Sequence, residues 1–162
     1  MMVYLRDIEP ADIAKLTKEM RRVDVQELRA AGVKDIYGAV AQSVTVKGPS
    51  WAAVDKDNNL IALFGFAEYR TLGRHAVPWL MGTDRLARHS KSLIKLSKTM
   101  CDTLMSSQYN TLSNYVWSEN KPSIQYLEAI GFDVDKEGGA MLSSTGQTFY
   151  RFHRNNEVAE HV

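Results

Sequence analysis

Leu60 to Tyr69 is the stretch that most limits what this chain can fold into. Ile61, Leu63, Phe64, Phe66 and Ala67 are apolar at both odd and even positions. Successive side chains of a strand point to opposite faces, so a strand apolar at both parities must be covered on both sides. That places it centrally in a sheet and requires the rest of the chain to supply a layer on each face. Gly65 inside it marks a bulge or a close backbone approach. Trp51 to Val54 precedes it across the polar loop Asp55-Lys56-Asp57-Asn58-Asn59, a hairpin signal.

The covering layers come from amphipathic segments on either side. After a first strand at Val3 to Arg6, Pro10 opens a helix with Asp7 and Glu9 at its positive end. Ile13, Leu16, Met20 and Val23 recur at helical spacing, and Val25 and Leu28 continue or restart the pattern up to Gly32. Asp35 caps a second helix carrying Ile36, Ala39, Val40 and Ser43, which Lys47-Gly48-Pro49-Ser50 ends. Two helices are therefore expected before the hairpin. Lys15, Lys18, Arg21 and Arg22 read as a solvated basic face.

Thr71-Leu72-Gly73-Arg74 turns the chain into an apolar strand from His75 to Gly82, and a basic turn with Arg85, Arg88, His89 and Lys91 follows. A helix near Ser90 carries an apolar stripe of Leu93, Leu96, Met100 and Leu104, with Lys91, Lys95 and Lys98 facing away. Cys101 lies on the stripe and reads as packing. A strand feeding a cationic turn and a helix N-terminus can seat an anion against free backbone N–H groups. Leu112 to Trp117 is the next strand. Asn120 and Pro122 then open a helix with Ile124, Leu127 and Ile130 on one face, closed by Gly131. Phe132 to Val134 and Thr148 to Phe152 are the last strands, with Gly138, Gly139 and Gly146 in a loose turn between them. The order β-α-α-β-β-β-α-β-α-β-β implies a three-layer α/β (α+β) domain over residues 1–153, followed by a polar tail at 154–162.

Twenty basic against nineteen acidic residues give a net charge of +1, and nothing in that balance calls for a nucleic-acid or membrane partner. A lone cysteine excludes an internal disulfide and fits a reducing compartment. Without a signal peptide or an apolar run of ~20 residues, a soluble, cytoplasmic protein is expected. No His, Cys, Asp and Glu set has metal-ligand spacing, and no nucleophile elbow is present.

Asn120-Lys121-Pro122-Ser123-Ile124-Gln125-Tyr126-Leu127-Glu128-Ala129-Ile130-Gly131-Phe132, taken with the element order, resembles the late motif of the GNAT (Gcn5-related N-acetyltransferase) fold. The resemblance covers nearly the whole chain and implies a mixed, mostly antiparallel sheet flanked by helices. Trp79, Gly82-Thr83, Asn114-Tyr115-Val116, Asn120 and Leu127 to Phe132 together resemble more closely the GNAT-like internal virion proteins of short-tailed podophages. Those proteins are minor virion or assembly components.

The GNAT resemblance implies acetyl-CoA as the ligand and an amine as the acceptor. Its cofactor contacts would be the backbone of Leu80, Met81 and Gly82, the turn residues Arg85, Arg88, His89 and Ser90, and Asn120. Two departures stand out. The family's turn glycines are replaced within Arg85-Leu86-Ala87-Arg88-His89-Ser90, where Arg88 either supplies a cation for phosphate or fills the site. The motif's tyrosine, a general acid in many such enzymes, aligns with Leu127. Tyr126 is one residue earlier, about 100° around the helix, and is expected to point away. Trp79 reads first as a packing residue.

Acetyl transfer needs a proton acceptor, for which Glu68 and His75 are candidates, and a donor to the leaving thiolate, for which Tyr126 is one. Either of the first two reads equally as an ordinary polar residue at a strand end. Two functions follow: an acyl-CoA-dependent N-acetyltransferase or acetyl-CoA binder of phage origin, or a non-catalytic virion, assembly or host-interaction protein that keeps the fold.

Overall fold

The computed structural model describes residues 2–69 and 74–156. The expected turn at Thr71-Leu72-Gly73 and the end of the tail lie outside the described residues. Strand β1 (Tyr4–Arg6) leads into α1 (Pro10–Glu19), α2 (Arg22–Ala30) and α3 (Ile36–Thr45). Strands β2 (Ser50–Val54), β3 (Leu60–Ala67) and β4 (His75–Gly82) follow, then a 3-10 helix (Asp84–His89) and α4 (Ser90–Ser107). The chain closes with β5 (Thr111–Trp117), α5 (Lys121–Ala129), β6 (Asp133–Leu142) and β7 (Thr148–Asn155).

The seven strands among the described residues form one sheet in the order β1-β2-β3-β4-β5-β7-β6. Every neighbouring pair is antiparallel except β4–β5. Every residue of β3 is buried. On one face, Leu63 and Met81 pack with Leu16 and Val40 of the amino-terminal helices and with Met20 between α1 and α2. On the other, Ala62 and Phe64 pack with Leu93 of α4, and Leu112, Val116 and Phe152 pack with Cys101, Met105 and Ile124. The apolar run at both parities therefore sits between two helical layers.

Three helices, not two, precede the hairpin. The periodic stretch breaks at Met20 and Arg21, whose backbones are extended. Met20 bridges to Thr83, and the Arg21 N–H donates to the Gly82 carbonyl at 2.8 Å. The end of β4 thus captures two residues that local spacing would have kept helical. Asp24, at the start of α2, completes the clamp. Its Oδ2 accepts from the Gly82 N–H at 2.8 Å and from Arg21 Nε at 2.7 Å.

The last two strands also depart from expectation. β6 continues through Gly138 and Gly139 to Leu142, with its register against β7 shifting between Asp135 and Ala140. Asp135 Oδ1 takes the Glu137 and Gly138 N–H groups at 3.2 and 2.8 Å, which absorbs the extra residues inside the strand. β7 runs past Phe152 to Asn155, where Arg154 pairs with Asp102 of α4. Gly32 and Gly131 end α2 and α5 with φ of +92° and +98°, a conformation that favours glycine.

Candidate functional site

β4 and β5 pair only at His75–Thr111 and Ala76–Leu112, whereas β3 and β4 pair over six positions. Beyond Ala76 the two parallel strands part. The Pro78 carbonyl accepts from Asn114 Nδ2 of β5 at 2.8 Å, so that residue's hydrogen-bonding edge faces β5. A strand residue sends its N–H and C=O to the same side. Proline therefore removes the donor that would carry the ladder onward.

A cavity of about 240 Å³ occupies this fork. β4 lines it from Pro78 to Met81, β5 from Asn114 to Val116, and α2, α4 and α5 supply Glu27, Ser97 and Tyr126. Gly65 of β3 forms part of the wall. A Cβ there would sit 2.8 Å from the Pro49 carbonyl and 3.0 Å from Trp79 Nε1, so the wall needs glycine. Trp79 packs against the α1–α3 layer as well as lining the fork.

Along β4, residues 78, 80 and 82 direct their backbone toward the fork, because alternate residues face alternate neighbours. Pro78 is taken by Asn114, and Gly82 is held by Asp24 and Arg21. Leu80 remains between them with its N–H and C=O toward the cavity. Met81, one residue on, faces β3 through its pairing with Leu63.

Tyr126 lines the cavity together with Leu127. The expected rotation does not take it away, because the cavity spans enough of α5 to meet both residues. Its hydroxyl is hydrogen-bonded to Ser97 Oγ of α4. Burial, with the nearby Cys101, pushes the phenol above its ordinary range, against the pull of Ser97 and Arg21. The Cys101 thiol is itself buried and pushed up to about 11, so it is an unreactive neighbour.

The other proton-transfer candidates stand away from the cavity lining, near the closed base of the fork. Glu68, one residue past the end of β3, accepts from the Tyr109 hydroxyl at 2.5 Å and lies 4.0 Å from Lys47 Nζ. His75 Nε2 is 2.8 Å from Ser113 Oγ, where β4 and β5 still pair. Asn120 is fully buried and caps α5, accepting from the Ser123 N–H at 3.2 Å. Its side-chain amide donates to Glu27 at 3.2 Å.

Sequence reasoning missed Glu27. Its Oε1 accepts from the Trp117 N–H at 2.8 Å as well as from Asn120. Burial, with the charge of Asp24, pushes the carboxyl up to about 7, against the pull of Trp117, Asn120 and Arg21. The available signal was acid at packed positions. Asp24 and Glu27 are three residues apart, hence on one side of α2, beside the apolar Leu28.

The turn is built differently. Asp84 to His89 wind as a 3-10 helix that runs straight into α4. Each N–H in such a helix bonds the carbonyl three residues back, as Leu86 does to Thr83 at 3.1 Å. Arg85 turns toward α1, with Nη1 2.7 Å from Glu19 Oε1 and 3.2 Å from the Leu60 carbonyl. Arg88 is exposed, His89 is buried, and Ser90 begins α4. Glu19, Thr83, Asp84, Arg85 and Arg88 line a shallow depression here, with two carboxylates against two guanidiniums. No cluster that could hold a metal ion and no helix able to cross a membrane occurs among the described residues.

Spermidine N-acetyltransferase from Vibrio cholerae, solved with CoA and spermine, matches over 95% of each chain, with a TM-score of 0.69 at 16% identity. A Gcn5-related N-acetyltransferase from Kribbella flavida matches with a TM-score of 0.67 at 20% identity, covering 95% of this chain and 98% of that one. Ribosomal-protein-S5-alanine acetyltransferase from Vibrio fischeri gives a TM-score of 0.67 at 13% identity, covering 97% and 94%. The chain has the GNAT acetyltransferase fold. A family model described as "Bacteriophage T7, probable scaffold protein Gp13" matches residues 74–138, from β4 into β6. No curated protein sequence matches.

Proposed function

We propose that this chain binds an acyl-CoA thioester with its acyl end in the β4–β5 fork and transfers the acyl group to an amine. The observation that carries the reading is the cavity itself, held open where β4 and β5 part, with Leu80 backbone on one wall and Tyr126 on another. At about 240 Å³ it is smaller than a drug-sized pocket of roughly 300–1,000 Å³, which suits an acyl group and thioester rather than a whole cofactor. The Leu80 N–H is the donor placed to meet a carbonyl oxygen that becomes negative during attack. The Tyr126 hydroxyl, kept protonated by burial, is the donor for the departing thiolate. The V. cholerae relative, solved with CoA and spermine, supports CoA and an amine as the ligand classes.

The turn fits this ligand less well, since its backbone donors are spent internally and Arg85 is paired with Glu19. Exposed Arg88 is left as the cation for a phosphate. Calorimetric titration with acetyl-CoA is the direct test. Saturable heat is expected, and its absence at high micromolar ligand would sink the proposal.

A second reading is favoured by a specific observation. The segment holding the fork and the turn, 74–138, is the part similar to the phage scaffold family. On that reading the chain is a phage assembly or virion protein, acting in the host cytoplasm or the particle, that keeps the fold without the chemistry. Finding it in purified particles, with no heat from acetyl-CoA, would establish this alternative over the first.

A further inference from the structure

We infer that Glu27 takes the proton from the acceptor amine, which reaches the fork from the face covered by α1, α2 and α3. This rests on the reading of the fork as an acyl-transfer site and assigns the one role that Glu68 and His75 are not placed to fill. Both protein donors to Glu27, the Trp117 N–H and Asn120 Nδ2, fall on Oε1. They fix the carboxylate at the end of β5, and Oε2 takes no partner among the described residues. The side chain is half-buried and lines the cavity from the α2 side.

The charged and titratable surroundings suit this task. Asp24 and Arg21 stand at the start of the same helix and are bound to each other at 2.7 Å. Asp24 also holds the Gly82 N–H, and Arg21 Nη2 reaches Ser123 Oγ of α5 at 2.8 Å, so neither is free to shuttle a proton. The end of β5 and α5 offer neutral groups, Trp117, Asn120 and Ser123, with the Tyr126 phenol on the cavity wall. The Glu27 carboxyl, pushed up to about 7 chiefly by burial, changes charge near neutrality, where a general base works best.

In the step assigned to it, the amine nitrogen attacks the thioester carbonyl carbon and a C–N bond forms. The nitrogen's proton passes to Glu27 Oε2. The C–S bond breaks, the thiolate takes a proton from Tyr126, and solvent restores that proton while taking up the one held by Glu27. The products are an amide and a free thiol.

The test uses the full chain with acetyl-CoA and spermidine as probes, from pH 5 to 9. Wild type is expected to show kcat/KM rising through a limb near pH 7. Glu27→Gln should lose that limb and about 100-fold in rate, while acetyl-CoA affinity by calorimetry stays within about twofold. Glu27→Asp should bring the limb back at reduced rate, which a merely structural carboxylate would not do. A limb and rate retained in Glu27→Gln overturn the assignment, as does a wild-type profile flat between pH 6 and 8. Acetyl-CoA binding without transfer overturns it too, but leaves the cofactor reading standing. Absence of binding overturns both.

Discussion

The fork and the turn are consecutive along the chain, and they treat backbone hydrogen-bonding groups in opposite ways. In the fork, β4 loses its partner after Ala76 and leaves Leu80 facing a cavity. In the turn that follows, a 3-10 helix from Asp84 to His89 uses its own N–H groups and a carboxylate neutralises the nearest arginine. A thioester would be met by free backbone at its reacting end and by side chains at its phosphate end. A shared fold therefore does not imply that both halves of the proposed ligand site are equally well built.

The largest expected effect separates the two regions directly. Tyr126→Phe should lower acetyl transfer about 100-fold, roughly 3 kcal/mol of barrier, with little change in acetyl-CoA affinity. Arg88→Ala should change turnover at saturating ligand by less than about threefold and weaken binding instead. Steady-state kinetics of both variants check this. Equal losses of turnover would mean that the turn takes part in the chemistry and that the contrast is wrong.

The next effect is on stability. The Glu27 carboxyl lies above its ordinary value of 4.5, at about 7 in the fold. A carboxyl raised by folding favours the native state below its unfolded value, and that contribution is lost as pH climbs through the folded value. Glu27→Gln removes the charge but keeps an acceptor for the Trp117 N–H. It should therefore be more stable than wild type at pH 8, by about 2 kcal/mol once the side chain's partial exposure to solvent is allowed for, and indistinguishable at pH 4. Denaturant melts at the two values test it. A variant less stable at pH 8 would show that the ionised carboxylate is favourable in the fork.

Asn114→Ala comes next. It removes the 2.8 Å bridge from Asn114 to the Pro78 carbonyl that ties the strands across their divergence, and should cost about 1 kcal/mol of stability. Because Pro78 then offers a free acceptor beside Leu80, acyl-CoA affinity should hold or rise. A fall in affinity would mean that Asn114 shapes the fork for its ligand.

Much of the fold was legible because its signals are local. The apolar run of β3 announced a covered central strand, and Asp35 was read as a cap where it accepts the Gly38 N–H. Local spacing leaves open whether the pattern continues or restarts between α1 and α2. The cause of the break is the Gly82 carbonyl, which reaches Arg21 from far along the chain. The site was read in part for the same reason. The missing glycines of the turn were visible, but Glu27 became a cavity carboxylate only once β5 and α5 had brought Trp117 and Asn120 to it. Tyr126 was expected to point away because helical rotation alone was counted, without the width of the cavity.

The smallest expected effect asks whether the turn is closed by its backbone or only by its charges. Arg85 lies 2.7 Å from Glu19, and both side chains are partly exposed at 28% and 36%, so the pair is worth well under 1 kcal/mol to the fold. Glu19→Ala should leave stability nearly unchanged while freeing the Arg85 guanidinium beside Arg88, where two cations could grip a phosphate with bidentate geometry. Acetyl-CoA affinity should then rise about threefold at low salt. The gain should fade near 0.5 M salt, where the screening length shrinks to a few ångströms. Calorimetry at two ionic strengths reads both. An unchanged affinity would mean that the wound backbone of residues 84–89, rather than the Glu19 charge, closes the turn to anions.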